Sequence, residues 1–223
     1  MEGRYPKAIM LTLAACSEPD HLDEWLDWYA RIHTPDVTAA GIFVNMIRFM
    51  NTASDHEGRQ IANLSETDFA DPLEALEELK ARGAPFVAEN RRSEYTRVVE
   101  GGGPFVRVGG EFQFIKNAPV RGIYLEAMTL VGDAAVAGFN DWYNDRHIPA
   151  MLTPGIFQSA YRYQRVSAAG PTHSFLCIYE TDRVDADRAL VETRDQAGLP
   201  DQFVSSKLAW EMTARRIWPL EGR

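Results

Sequence analysis

Cysteine is scarce, with two residues, Cys16 and Cys177, in a chain of 223. Each lies inside an apolar run of strand character and has no metal-ligand spacing around it, so both are expected as buried, reduced thiols rather than as bridges or zinc ligands. A surplus of basic charge is also missing. The net charge of −9 and a pI near 5.1 would repel a phosphate backbone, and no basic run is interleaved with aromatics, so nucleic acid is not an expected partner. No stretch approaches the ~18 apolar residues of a membrane span, and Met1–Lys7 has no apolar segment behind it, which leaves a soluble cytoplasmic protein as the expectation. The five histidines are far apart and fall into no H-E-x-x-H or facial-triad pattern, and G-x-S-x-G is absent. The glycine-rich stretch 101–103 is followed by no Lys-Ser/Thr, which excludes a phosphate loop. Neither a metal nor another cofactor is expected.

What is present is a repeat. Asp27-Trp28-Tyr29, His33, Pro35, Gly41-Ile42-Phe43 and Arg48 return as Asp141-Trp142-Tyr143, His147, Pro149, Gly155-Ile156-Phe157 and Arg162. Over 27–48 against 141–162, nine of 22 positions are identical without a gap, where unrelated sequences would share about one. Each copy opens on a strand-like run, 8–15 and 122–131. A helix follows in each, with Leu22, Trp25, Leu26, Tyr29, Ile32 and His33 at helical spacing in the first and Val136, Phe139, Trp142 and Tyr143 in the second. Pro35 and Pro149 are expected to stop these helices. Second strands are read at 44–50 and 158–166, third strands at 60–64 and 173–179, and closing strands at 95–99 and 210–218. The last helix of copy one is punctuated by Asp71 as N-cap, Pro72 at the first position and Gly83 as stop. Its counterpart runs over 185–196.

The order in each copy is β-α-β-β-α-β, the ferredoxin-like unit. One face of its sheet carries both helices, and the bare face needs cover that a second copy supplies. The expected fold class is therefore α+β: tandem ferredoxin-like repeats forming a dimeric-type α+β barrel within one chain. Residues 1–100 are the first repeat, 101–119 a flexible glycine-rich linker with a hairpin, and 120–223 the second repeat. Exposed helices or sheet edges could still pair two chains into a homodimer.

The series W-Y-x-x-x-H-x-P, followed by P-G-I-F and R-Y, resembles the dimeric α/β barrel superfamily. The second copy, Asp141 through Pro149, Thr153-Pro154-Gly155-Ile156-Phe157 and Tyr161-Arg162-Tyr163, is similar to its EthD-like branch. The resemblance implies a cofactor-free pocket enclosed by each half's sheet and helices. It also implies chemistry that varies among isomerases, polyketide cyclases, cofactorless monooxygenases, dehalogenases and dye-decolorising peroxidases. Copy one departs from the pattern, with Ala39-Ala40 in place of Thr153-Pro154, so one of the two pockets is expected to be degenerate.

A histidine four residues after a tyrosine shares its helix face. His33 with Tyr29, and His147 with Tyr143, thus offer a base that titrates near neutrality beside a hydroxyl able to donate to an oxyanion. The bland alternative is that each histidine only caps a helix end. Arg48 and Arg162 sit at equivalent places on the second strands, facing either a substrate carboxylate or solvent. Tyr161 and Tyr163 alternate with Arg162 and belong to the opposite sheet face, so only one of the two sets lines the interior. Trp28 and Trp142 are read as packing, His173 as a loop residue, and His21 and His56 as solvated. The leading expectation is a cofactor-independent isomerase or lyase of a small unsaturated carboxylic acid of the aromatic ring-cleavage type. Its catalytic residues would be His147, His33, Tyr143 and Tyr29, with Arg162, Arg48, Tyr161 and Tyr163 as substrate-binding candidates. The alternatives are a cofactorless monooxygenase or polyketide-cyclase-like enzyme on a phenolic substrate, and a non-catalytic small-molecule-binding module.

Overall fold

A computed structural model describes residues 4–53, 58–82, 91–113, 118–132 and 135–219. Copy one consists of β1 (Ala8–Cys16), α1 (Leu22–Trp28), α2 (Thr34–Ala39), β2 (Asn45–Asn51), β3 (Ile61–Thr67), α3 (Pro72–Ala81) and β4 (Thr96–Arg107). After the short β5 (Phe112–Gln113), copy two repeats the series as β6 (Gly122–Leu130), α4 (Val136–Trp142), α5 (Ile148–Leu152), β7 (Ser159–Ser167), β8 (Gly170–Thr181), α6 (Ala186–Gln196) and β9 (Ser206–Trp218).

Alternation along the strands decides the layering. Ile9, Leu11 and Leu13 of β1 share one core with Ile123 and Leu125 of β6, Tyr161 and Tyr163 of β7, and Met212 of β9. That core is the inside of a barrel. Copy one orders its strands β4-β1-β3-β2 and copy two β9-β6-β8-β7. The antiparallel seams β2–β9 and β4–β7 then close eight strands into one barrel. β5 pairs with β7 further along the edge that also meets β4. The opposite strand faces pack beneath the helices in separate clusters for the two copies. The α+β class and the tandem arrangement are thus as read from the repeat.

Duplication extends to the hydrogen bonds. Thr67 donates to the Ile42 carbonyl at 2.9 Å, and Thr181 to that of Ile156 at 2.7 Å. Asp71 caps α3 by accepting from the Leu73 N–H, and Asp185 caps α6 by accepting from that of Arg188. Gly83, read as the stop of α3, lies outside the described residues, as does His56.

Three local expectations are corrected. Gly101–Gly103 is not a linker: β4 runs through it to Arg107, and the inter-copy connection begins later. Leu11 pairs with Gly103 and Leu13 with Val99, so Glu100, Gly101 and Gly102 all stand opposite Thr12. That is a β-bulge, and glycine permits it because Gly101 has φ +107° and Gly103 φ +137°. Second, Pro35 and Pro149 do not end their helices. The chain makes one π turn over Tyr29–His33 and over Tyr143–His147, with N–H(i+5) bonds from Thr34 to Tyr29 and from Ile148 to Tyr143. The turn places each proline in the first turn of α2 or α5, where its missing N–H is not needed. Third, His173 belongs to strand β8 rather than to a loop.

Candidate active site

Each π turn carries one of the repeated Tyr–His pairs. An inserted π residue brings side chains five apart onto one face, and the tryptophan before each tyrosine accordingly stacks on the histidine. Trp28 and His33 have ring centroids 5.0 Å apart at 28°, and Trp142 and His147 5.0 Å at 23°. The tyrosines meet the same imidazoles edge-on, at 5.0 Å for Tyr29 and 4.7 Å for Tyr143. Trp28 and Trp142, read as packing, are therefore packing against the candidate bases.

The two copies then diverge. In copy two, Glu126 projects from β6 toward the helices and its Oε2 accepts from the Tyr143 hydroxyl and lies 3.0 Å from His147 Nε2. Burial alone would raise the Glu126 pKa, but the hydrogen bond and charge of His147, with the bond from Tyr143, outweigh it and hold the carboxyl below its ordinary value. Burial, and then the Glu126 charge, push the Tyr143 phenol well above its ordinary range, so it stays a donor. With Nε2–H given to Glu126, His147 Nδ1 is left buried and without a hydrogen-bond partner. An orphaned buried polar atom costs ~1–3 kcal/mol, which a bound donor would recover. Tyr124 extends the cluster, donating to Glu211 at 2.7 Å with Glu126 Oε1 3.5 Å away; Arg194 lies 2.6 Å from the same Glu211 oxygen.

In copy one, β1 places Thr12 where β6 has Glu126, as the pairings Thr12↔Asn63 and Glu126↔Cys177 show. Burial, and then Arg48, depress the His33 pKa to about 4. The nearby Asp36 is held by Arg91 through two bonds of 2.7 and 2.6 Å. In copy two, Glu126 is the strand carboxylate in contact with the tyrosine–histidine pair.

The remaining candidates divide by sheet face. Arg48 and Arg162 are both 1% exposed, which excludes the solvent-facing reading. Each guanidinium lies over the tyrosine of its own π turn, at 4.4 Å from the Tyr29 centroid and 4.5 Å from that of Tyr143. Arg162 donates to Asn144 and Asn140 at 2.7 and 2.9 Å, and Arg48 to Thr34 at 2.8 Å. These cations brace the π turns from below. Tyr161 and Tyr163 point the other way, into the barrel. His21 is half-exposed and bonded to Glu24. Glu126 was not among the sequence candidates, although it is the carboxylate that orients the pair.

No known family profile matches the chain, and no curated protein is similar to it in sequence. Solved structures are similar in shape at 8–12% identity. A proposed monooxygenase from Lactobacillus acidophilus NCFM is 12% identical with TM-score 0.50, covering 96% of this chain and 94% of that one. A DypB variant from Rhodococcus jostii RHA1 in complex with heme is 8% identical with TM-score 0.60, covering 95% and 93%. The fold is the dimeric α+β barrel. An anthrone oxidase-like protein matches this barrel with TM-score 0.57 at 10% identity, covering 97% and 94%.

One such barrel, the DypB variant, is in complex with heme. The helix–sheet layer of copy two is filled by Phe139, Tyr143, Phe175 and Tyr179 in mutual contact. Burial raises the Cys177 thiol to about 12, far from a ligating thiolate. In copy two, the described residues of that layer do not fit a haem.

Proposed function

We propose that the chain is a cofactor-independent enzyme of the EthD-like branch that deprotonates a phenolic or enolisable aromatic substrate and lets the anion react with O₂. The observation that carries this reading is the Glu126–His147 pair with Nδ1 unpartnered. Because Glu126 accepts from Nε2–H, the lone pair of the neutral imidazole falls on Nδ1. When Nδ1 takes the substrate proton, the imidazolium forms beside an ionised carboxylate that stabilises it. A positioned base of this kind contributes ~10²–10⁴-fold. The likeness to an anthrone oxidase-like protein and to a proposed monooxygenase favours oxygenation over the isomerisation of an unsaturated acid.

For an acidic CH₂ flanked by aromatic rings the electrons balance without an external reductant. His147 removes one C–H proton, the carbanion's electron pair adds to O₂, and the peroxide anion takes the proton back. Removal of the second C–H proton breaks the O–O bond, and the expelled hydroxide leaves with that proton as water. The CH₂ becomes a C=O, and one O₂ supplies both oxygens.

The test is oxygen uptake with a panel of anthrones and phenols, with ¹⁸O₂ incorporation read by mass spectrometry. Uptake that falls at least a hundredfold in His147→Ala and persists in His33→Ala supports the proposal. Uptake indifferent to His147→Ala overturns it. Double-bond migration under argon would instead return the assignment to an isomerase using the same base.

A further inference from the structure

The glycine bulge of β4 has a use beyond bending the strand. A Cβ on Gly101 would lie 2.6 Å from Trp210 Nε1, and one on Gly103 would lie 3.0 Å from Arg165 Nε. The bulge thus lets an indole and a guanidinium close directly onto backbone at one end of the barrel. There they border a cavity of about 240 Å³ whose lining also includes Arg59, Glu100 and Phe105. Phe105, Ala127 and Trp210 belong to the barrel core, and Met128 and Phe175 to the layer under the copy-two helices, so the cavity lies at the rim where the two meet. Its wall is built from both copies, Arg59, Glu100 and Phe105 from the first and Arg165 and Trp210 from the second.

The charge of this wall runs against that of the chain. Two guanidiniums and one carboxylate line the cavity in a protein of net charge −9. Arg59 lies over the Trp210 ring at 5.5 Å, and no carboxylate among the described residues pairs with Arg165. Ligand sites place a few charged or polar groups beside aromatic surface, and a guanidinium binds a carboxylate through two parallel hydrogen bonds.

We propose that this barrel mouth binds a small aromatic carboxylate, its ring against Trp210 and Phe105 and its carboxylate on Arg165. The lining includes neither Glu126 nor His147, so binding there does not depend on proton transfer at His147.

The test is calorimetric titration of the full chain with benzoate and with benzamide, a neutral isostere, together with NMR of the indole N–H signals, that of Trp210 being assigned by Trp210→Phe. Benzoate is expected to bind at least tenfold tighter than benzamide and to shift the Trp210 signal. Arg165→Ala, at an exposed position where folding is not at risk, should weaken benzoate about tenfold, ~1.4 kcal/mol. Gly101→Ala should weaken it as well, by displacing the indole. Absence of benzoate binding at millimolar concentration overturns the proposal. So does equal affinity for benzamide, indifference to Arg165→Ala, or a shift at Trp142 in place of Trp210.

Discussion

The imidazoles of His33 and His147 occupy equivalent π turns against equivalent tryptophans, with Thr12 standing where copy two has Glu126. Burial, and then the Arg48 cation, outweigh Asp36 at His33 and lower its pKa to about 4 from an unfolded value of 6.5. Between those values the unfolded chain binds a proton that the folded chain refuses. The stability this residue provides is therefore complete above pH 6.5 and is lost as pH falls toward 4, up to ~3 kcal/mol in all. The urea midpoint of the wild type should drop between pH 7 and 4.5, and His33→Gln should remove much of that drop. Glu126 shifts in the same direction as a carboxylate: its contribution is present above its ordinary value of 4.5 and disappears as pH falls through the lower folded one. Replacing it by Gln keeps the shape but removes the charge opposite the imidazolium. Under the proposed chemistry Glu126→Gln should slow turnover about tenfold to a hundredfold, with kcat falling more than KM rises, since the charge matters only once the proton has moved. The Tyr–His pairs were legible because four-residue spacing and the repeat marked them. Glu126 was not, because the repeat flags identity and its counterpart is a threonine. The available signal was a lone carboxylate on the face of β6 that also carries Tyr124 and Met128.

Elements show the same mixture. Caps, strand order and the α3 and α6 helices follow from local rules, and Asp71→Ala and Asp185→Ala should each cost about 1 kcal/mol, read as a lower thermal midpoint. The π turns were not visible as such, since Leu22 through His33 satisfies an α-helical period nearly as well. The hint was a tryptophan exactly one residue further from the histidine than helical facing allows, with a proline two residues after the histidine. The glycine run misled for a different reason. Three glycines usually signal a mobile connection, but here each absent Cβ answers a neighbour: Trp210, the Leu11 carbonyl and Arg165. At Gly102 the obstacle is backbone, 2.5 Å from where a Cβ would be placed, and cannot swing aside. Gly102→Ala should therefore destabilise by ~1–3 kcal/mol. A linker would tolerate it without change, so denaturant midpoints decide between the two descriptions.

At the scale of the molecule, each copy's sheet is covered by its own helices on one face and by the other copy on the opposite face. Ile123, Leu125, Tyr161, Tyr163 and Met212 of copy two are nearly inaccessible only because Ile9, Leu11, Ile47 and Leu64 of copy one lie across the barrel. The seams β2–β9 and β4–β7 supply the backbone pairing that neither half could satisfy alone. This was the part most legible in the sequence, because a duplicated unit with one bare sheet face has few other ways to bury it. Covalent continuity between the copies adds proximity, not contacts. A chain cut within 114–117 should therefore reassemble when its two pieces are co-expressed, eluting as a 1:1 complex with the far-UV spectrum of the intact protein. Its thermal midpoint should depend on concentration, as that of a two-chain complex must. Copy two expressed alone should self-associate through the same face, because its apolar interior residues would otherwise meet water. If each half instead sediments as a well-folded monomer, the shared core does not hold the barrel together.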